Sequence, residues 1–157
     1  MKWLKKLFGS GDVSVSSSVN TYDASRLVED IVDDLRRTSP KKAMCYLVLF
    51  GDRPLTGEMG GDESIMVFST NQKAKSFIDG YQKYYRTTKP LSALPLNSTS
   101  DLWAMLNNPA KDDLYKTPQG LIIDFNYTGQ TYNAYSINQL RSMGCDGLER
   151  GLSAIWK

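Results

Sequence analysis

Apolar residues first recur at helical spacing in "DASRLVEDIVDDLRR", residues 23–37. Ala24, Leu27, Val28, Ile31 and Leu35 form one stripe, while Glu29, Asp30, Asp33 and Asp34 occupy most of the opposite face. The pattern predicts an amphipathic helix, capped by Asp23 and closed by Arg36 and Arg37 against its C-terminal dipole. After "SPKK" it becomes a continuous apolar run, "AMCYLVLF" at 43–50, which reads as a central strand. A second strand is expected over 63–69, beyond the connection "GDRPLTGEMGGD" at 51–62, and the two strands are expected to pair as a hairpin. Thr70 or Asn71 then starts a helix with Ala74, Phe77, Ile78, Tyr81 and Tyr85 along one face.

"KPLSALPLN" at 89–97 is twice broken by proline, which suits an edge strand or a strap. "STSDLWAMLNN" reads as a short helix that Pro109 ends, and 109–119 as an irregular polar stretch. "GLIIDFN" and "TYNAYSI" are a third and a fourth strand joined through "YTGQ". Ser136 caps "INQLRSMG", Gly144 stops it, and "GLERGLSAIWK" forms a last short helix. Strands paired in sequence and separated by helices predict an α+β fold: a mixed or antiparallel sheet of about 4–5 strands with helices packed on it. Residues 23–157 make one such domain, preceded by an amphipathic segment and a Ser/Gly-rich linker over 1–22.

Much of this order, carried by "YLVLFG", "ESIMVFSTNQKAKSFIDGY", "KPLSALPLNSTSDLWAMLNN" and "GLIIDFN…YSINQLRSMG", resembles the N-terminal domain of the bacterial SseB-like family. The resemblance spans about residues 43–144 and leaves the N-terminal segment and the acidic helix outside. It implies a domain without established enzymatic activity, so no catalytic residues are carried over.

Composition removes several chemistries. The chain has no histidine, so Ser–His–Asp and Cys–His nucleophilic systems and most zinc sites are excluded. Cys45 and Cys145 have neither a disulfide framework nor metal-ligand spacing. No cofactor or metal is expected. The formal charge is +2, but residues 1–11 carry Lys2, Lys5 and Lys6 and no acid, which leaves −1 on the remainder. A near-neutral domain argues against nucleic acid as a partner. There is no run of roughly 20 apolar residues and no secretory h-region, so a cytoplasmic location is expected, with peripheral contact at the inner face of the membrane in one reading.

That reading rests on "MKWLKKLFG". On a helical wheel Trp3, Leu4, Leu7 and Phe8 share one side, and Lys2, Lys5 and Lys6 fill the other. Amphipathicity alone leaves open whether these residues meet an anionic lipid surface, a protein partner or the protein's own fold. A second candidate is the 51–62 connection, where Asp52, Arg53, Glu58 and Asp62 sit among four glycines. It lacks a phosphate-loop ending and reads either as a binding loop or as a flexible hairpin tip. "YQKYYRTTK" interleaves Tyr81, Tyr84 and Tyr85 with Lys83, Arg86 and Lys89, yet Phe77, Tyr81 and Tyr85 share the helix's apolar stripe, so core packing is expected. Cys145, beside Asp146, reads as part of a turn and not as a nucleophile. Asp124 is expected to alternate outward on a half-buried strand.

The sequence thus predicts a non-catalytic protein-interaction or regulatory module. A soluble inhibitor or immunity-type protein is the main alternative, and an enzyme using carboxylates or Tyr comes third. The partner and the oligomeric state are not legible in the chain.

Overall fold

The computed structural model describes residues 28–38, 42–107, 118–127 and 131–155. Within them the chain runs α1 (Val28–Arg37), β1 (Cys45–Phe50), β2 (Arg53–Pro54), β3 (Thr56–Met59), β4 (Asp62–Phe68), α2 (Asn71–Tyr84), β5 (Leu91–Leu96), α3 (Thr99–Asn107), β6 (Gly120–Asn126), β7 (Thr131–Ser136) and α4 (Ile137–Ile155). The strands form one mixed sheet in the order β2–β1–β4–β6–β7, with β5 paired to β1 and β3 to β4. Every pairing is antiparallel except β4–β6, which is parallel. The fold is α+β, as the pattern predicts.

The expected hairpin between the first two long strands takes a different form. β1 and β4 pair directly only through Tyr46–Phe68 and Leu47–Val67. The segment between them is not an open loop: β2 pairs with the end of β1, and β3 with the start of β4. Leu55 joins the two halves. It is 9% exposed, its N–H donates to Val48 O at 2.7 Å, and its C=O accepts from Met66 N at 3.3 Å. One buried residue in the middle of a Gly-rich stretch therefore converts a connection into a wedge of sheet.

Alternation along the strands sends side chains to two layers. Cys45, Leu47, Leu49, Ile65, Val67, Leu121 and Ile123 pack with α1, α3 and α4 in the larger cluster. Val48, Met66, Phe68 and Ile122 face the other way, onto Ala74 and Phe77 of α2. The sheet is covered on both faces, which explains why β1 reads as an unbroken apolar run. In α1 the buried stripe is Val28, Ile31, Val32 and Leu35, so Val32 joins the residues named from sequence. Arg36 ties this helix to the β1–β2 turn, donating to Asp52 at 3.0 Å and to Gly51 O at 3.2 Å.

At the far end, the Ser136 hydroxyl accepts from Gln139 N at 3.2 Å and so caps α4, as expected. Gly144 kinks that helix with φ 68 and ψ 179, dihedrals that essentially only glycine adopts.

Candidate functional site

The two faces of the sheet are covered unequally. Among the described residues three helices lie on one side of the sheet, and α2 lies on the other. A helix is about 10–12 Å across and five strands span roughly 24 Å, so one helix cannot roof that face. Aromatic side chains fill the remainder. Phe77 lies 5.0 Å from Phe68, 5.3 Å from Tyr127 and 6.2 Å from Phe125, measured between ring centroids. Phe125 in turn packs edge-on to Tyr127 at 5.1 Å and meets Tyr132 at 5.9 Å. Between α2 and the β6–β7 hairpin this leaves a groove with Phe77, Phe125 and Tyr127 among its lining and Lys73, Asp79, Lys83 and Tyr84 along α2.

A bulge builds the hairpin wall. The β6–β7 register shifts between Ile123 and Asn126, and Asp124 takes a positive φ of 55. Strict alternation would send Phe125 to the face opposite Ile122; the irregularity brings both into the α2-side cluster. Left-handed backbone is disfavoured for residues with a Cβ, and here side-chain bonds hold it. Asp124 accepts from Ser69 N at 2.8 Å, from the Ser69 hydroxyl at 2.7 Å and from Lys73 Nζ at 2.7 Å. Lys73 Nζ also donates to the Ser69 hydroxyl at 3.0 Å. The Asp124 side chain is 12% exposed and that of Lys73 54%. Ser69 stands just before Thr70, whose side chain caps α2 by accepting from Lys73 N. The cluster thus fastens the bulge of β6 to the start of α2. Its hydroxyl spends its proton on the carboxylate, and its ammonium donates to both neighbours. These contacts hold the bulge and the helix start together as a latch does.

At the other end of α2 the tyrosines depart from the expected core packing. Tyr81 is half-buried, but Tyr84 and Tyr85 are 68% and 53% exposed, the large hydrophobic side chains that stand out among the described residues. Tyr85 lies one residue beyond the helix, in extended backbone with φ −122 and ψ 125, so the helical stripe no longer directs its side chain inward. Each exposed ring rests on an anchored one: Tyr84 on Tyr127 at 5.4 Å, and Tyr85 on Tyr81 at 4.7 Å. Burial, then the neighbouring Tyr85 and Tyr81, push the Tyr127 phenol up to about 12. Burial also raises Tyr132. Cys45 is fully buried, and burial followed by the Asp124 charge pushes its thiol up to about 12, far from a reactive thiolate.

The residues singled out from sequence lie elsewhere. Lys2, Trp3, Leu4, Lys5, Lys6, Leu7 and Phe8 fall outside the described residues. Asp52, Arg53, Glu58 and Asp62 are not gathered into one loop. Asp52 sits at the β1–β2 turn on Arg36, Arg53 is in β2, Glu58 pairs across from Glu63, and Asp62 begins β4. Cys145 falls within α4, immediately after the kink at Gly144. Among the described residues no helix is long and apolar enough to cross a membrane, and no cluster of His, Cys, Asp or Glu is arranged to hold a metal ion. No model of a known protein family matches the chain, and no curated protein matches it.

Proposed function

We propose that this α+β domain is a non-catalytic protein-interaction module of the SseB-like type that residues 43–144 resemble, with the α2 face as its contact surface. The observation that carries this reading is the pair of exposed rings, Tyr84 and Tyr85, each packed against a more buried tyrosine. Tyrosine holds a large amphipathic area in place at small entropic cost, which is why it is enriched where partners bind tightly. The order of elements from β4 to α4 also follows the order on which the resemblance rests. In this reading the Ser69–Lys73–Asp124 cluster preserves the shape of the groove.

The test compares the intact chain with a Tyr84→Ala/Tyr85→Ala variant as bait for cellular partners. The variant is expected to keep its circular dichroism and melting temperature while losing the captured protein. Undiminished capture would refute the assignment of this face.

The first residues add a second contact in this proposal. "MKWLKKLFG" brings the domain to an anionic membrane surface or to a partner. Four apolar side chains contribute at most ~1.5–3 kcal/mol each, and ordering eight residues costs ~1–2 kcal/mol each. One copy therefore binds lipid weakly and reversibly. Sedimentation with anionic liposomes should pellet the intact chain more than a chain lacking residues 1–11 or carrying Trp3→Glu. Equal pelleting of all three removes the lipid contact.

A further inference from the structure

Resting on the reading of the α2 face as a contact surface, we propose that the groove between α2 and the β6–β7 hairpin takes a short extended peptide segment of a partner protein. The segment is acidic where it meets Lys83 and presents an aromatic or apolar side chain to Tyr84 and Tyr127.

Shape sets the length. α2 has 14 residues and so runs about 20 Å at 1.5 Å per residue. A groove of that length holds about six residues of extended chain at roughly 3.3 Å each. Phe77, Tyr84, Phe125, Tyr127 and Tyr132 line it, so one bulky side chain of the segment finds a seat beside Tyr84 and Tyr127.

Charge sets the polarity. Residues 70–89 contain five cations, Lys73, Lys75, Lys83, Arg86 and Lys89, against one acid, Asp79. Lys73 is engaged by Asp124. The remaining positive charge that reaches the groove is at its far end, where Lys83 lines it and Arg86 lies exposed just beyond the helix. An acidic side chain at that end of the segment is complementary.

The same lining disfavours a nucleic acid. Asp79 and Asp124 both line the groove and would face a phosphate backbone laid along it. Gln72 and Asn133 line it as well, and their amides donate and accept in the manner of the peptide group. Carboxylates beside amides, with the Lys83 cation at one end, suit a peptide with one acidic end.

The test is selection of random displayed peptides of about ten residues, longer than the roughly six the groove holds, against the full chain. The selected peptides are expected to carry Asp or Glu beside an aromatic or large apolar residue. Their affinity should fall about tenfold or more with Tyr84→Ala and with Lys83→Glu. It should survive Lys83→Arg, and also Lys75→Glu, which lies off the groove. Selection of nothing, selection of peptides without an acidic excess, or binding indifferent to both substitutions overturns the proposal. So does tighter binding of oligothymidylate through the same side chains. If Tyr84→Ala/Tyr85→Ala abolishes cellular capture while no peptide is selected, the face remains an interface and the peptide alone is refuted.

Discussion

Ser69 and Asp124 stand 55 residues apart in the chain and are joined by two hydrogen bonds, one from the Ser69 amide at 2.8 Å and one from its hydroxyl at 2.7 Å. Through them the end of β4 and the bulge of β6 are held as one piece. The Asp124 backbone keeps a positive φ there, and its side chain is where the lysine of α2 docks.

Substitutions at Asp124 should separate the acceptor from the charge. Asp124→Asn keeps an oxygen for the Ser69 amide, and asparagine tolerates positive φ. Asp124→Ala leaves that amide without its acceptor and adds the left-handed penalty of ~1–2 kcal/mol. The expected losses are about 1 kcal/mol for asparagine and about 3 kcal/mol for alanine. Urea denaturation measures both; equal losses would contradict the latch.

Gly80→Ala runs against helix propensity. In a helix interior alanine ordinarily gains ~1 kcal/mol over glycine. Here a Cβ at position 80 would stand 2.8 Å from Cδ2 of Tyr127, on a ring also stacked against Phe77. Overpacking of this kind costs ~1–3 kcal/mol, so a net loss of about 1 kcal/mol is expected, with the Tyr127 ring resonances displaced. A stabilised variant with unmoved resonances would show that the contact is soft.

Stability should decline in alkali. The Tyr127 phenol is raised from 10.0 to about 12 in the folded state. Below pH 10 the phenol is protonated in both states and its contribution is complete. Between about 10 and 12 the unfolded chain releases this proton and the folded one retains it, so stability falls as pH rises. Tyr127→Phe should flatten that part of the denaturation-against-pH curve; an unchanged slope would assign the effect to other groups.

Cys45 should be silent towards thiol reagents near pH 8. It is fully buried and its thiol is pushed up to about 12. In a Cys145→Ser background, labelling is expected only at the rate of unfolding and to become immediate in denaturant. Prompt labelling of the native protein would mean that β1 opens locally.

Elements built from strong periodicity were legible in the chain. α1, β1 and α2 follow their apolar stripes, proline marks β5 as an edge, and glycine marks the break in α4. What escaped depends on contacts between distant residues. Leu55 looks like one apolar residue in a Gly-rich connection until Val48 and Met66 claim its backbone. Asp124 reads as the outward member of an alternating strand, because neither the bulge nor Ser69 is visible locally. The groove is not legible as clustered chemistry for the same reason. One of its walls is a helix that ends before Tyr85, the last residue of the expected stripe, and the other is a strand whose alternation is broken. A lone carboxylate inside "GLIIDFN" was the one local sign.

The parallel pairing of β4 with β6 has a consequence for the timing of assembly. The crossover between these strands contains α2, β5 and α3, so the two walls of the groove come from opposite ends of a long excursion of the chain. During synthesis the α2 wall emerges well before residues 124–133 exist. A nascent chain at that stage has tyrosines but no cleft, and a partner that requires both walls recognises only chains in which β6 has docked. Such a ligand binds the native state alone and so raises the melting temperature as its concentration increases. Recognition at this groove would thus report that β6 has docked beside β4.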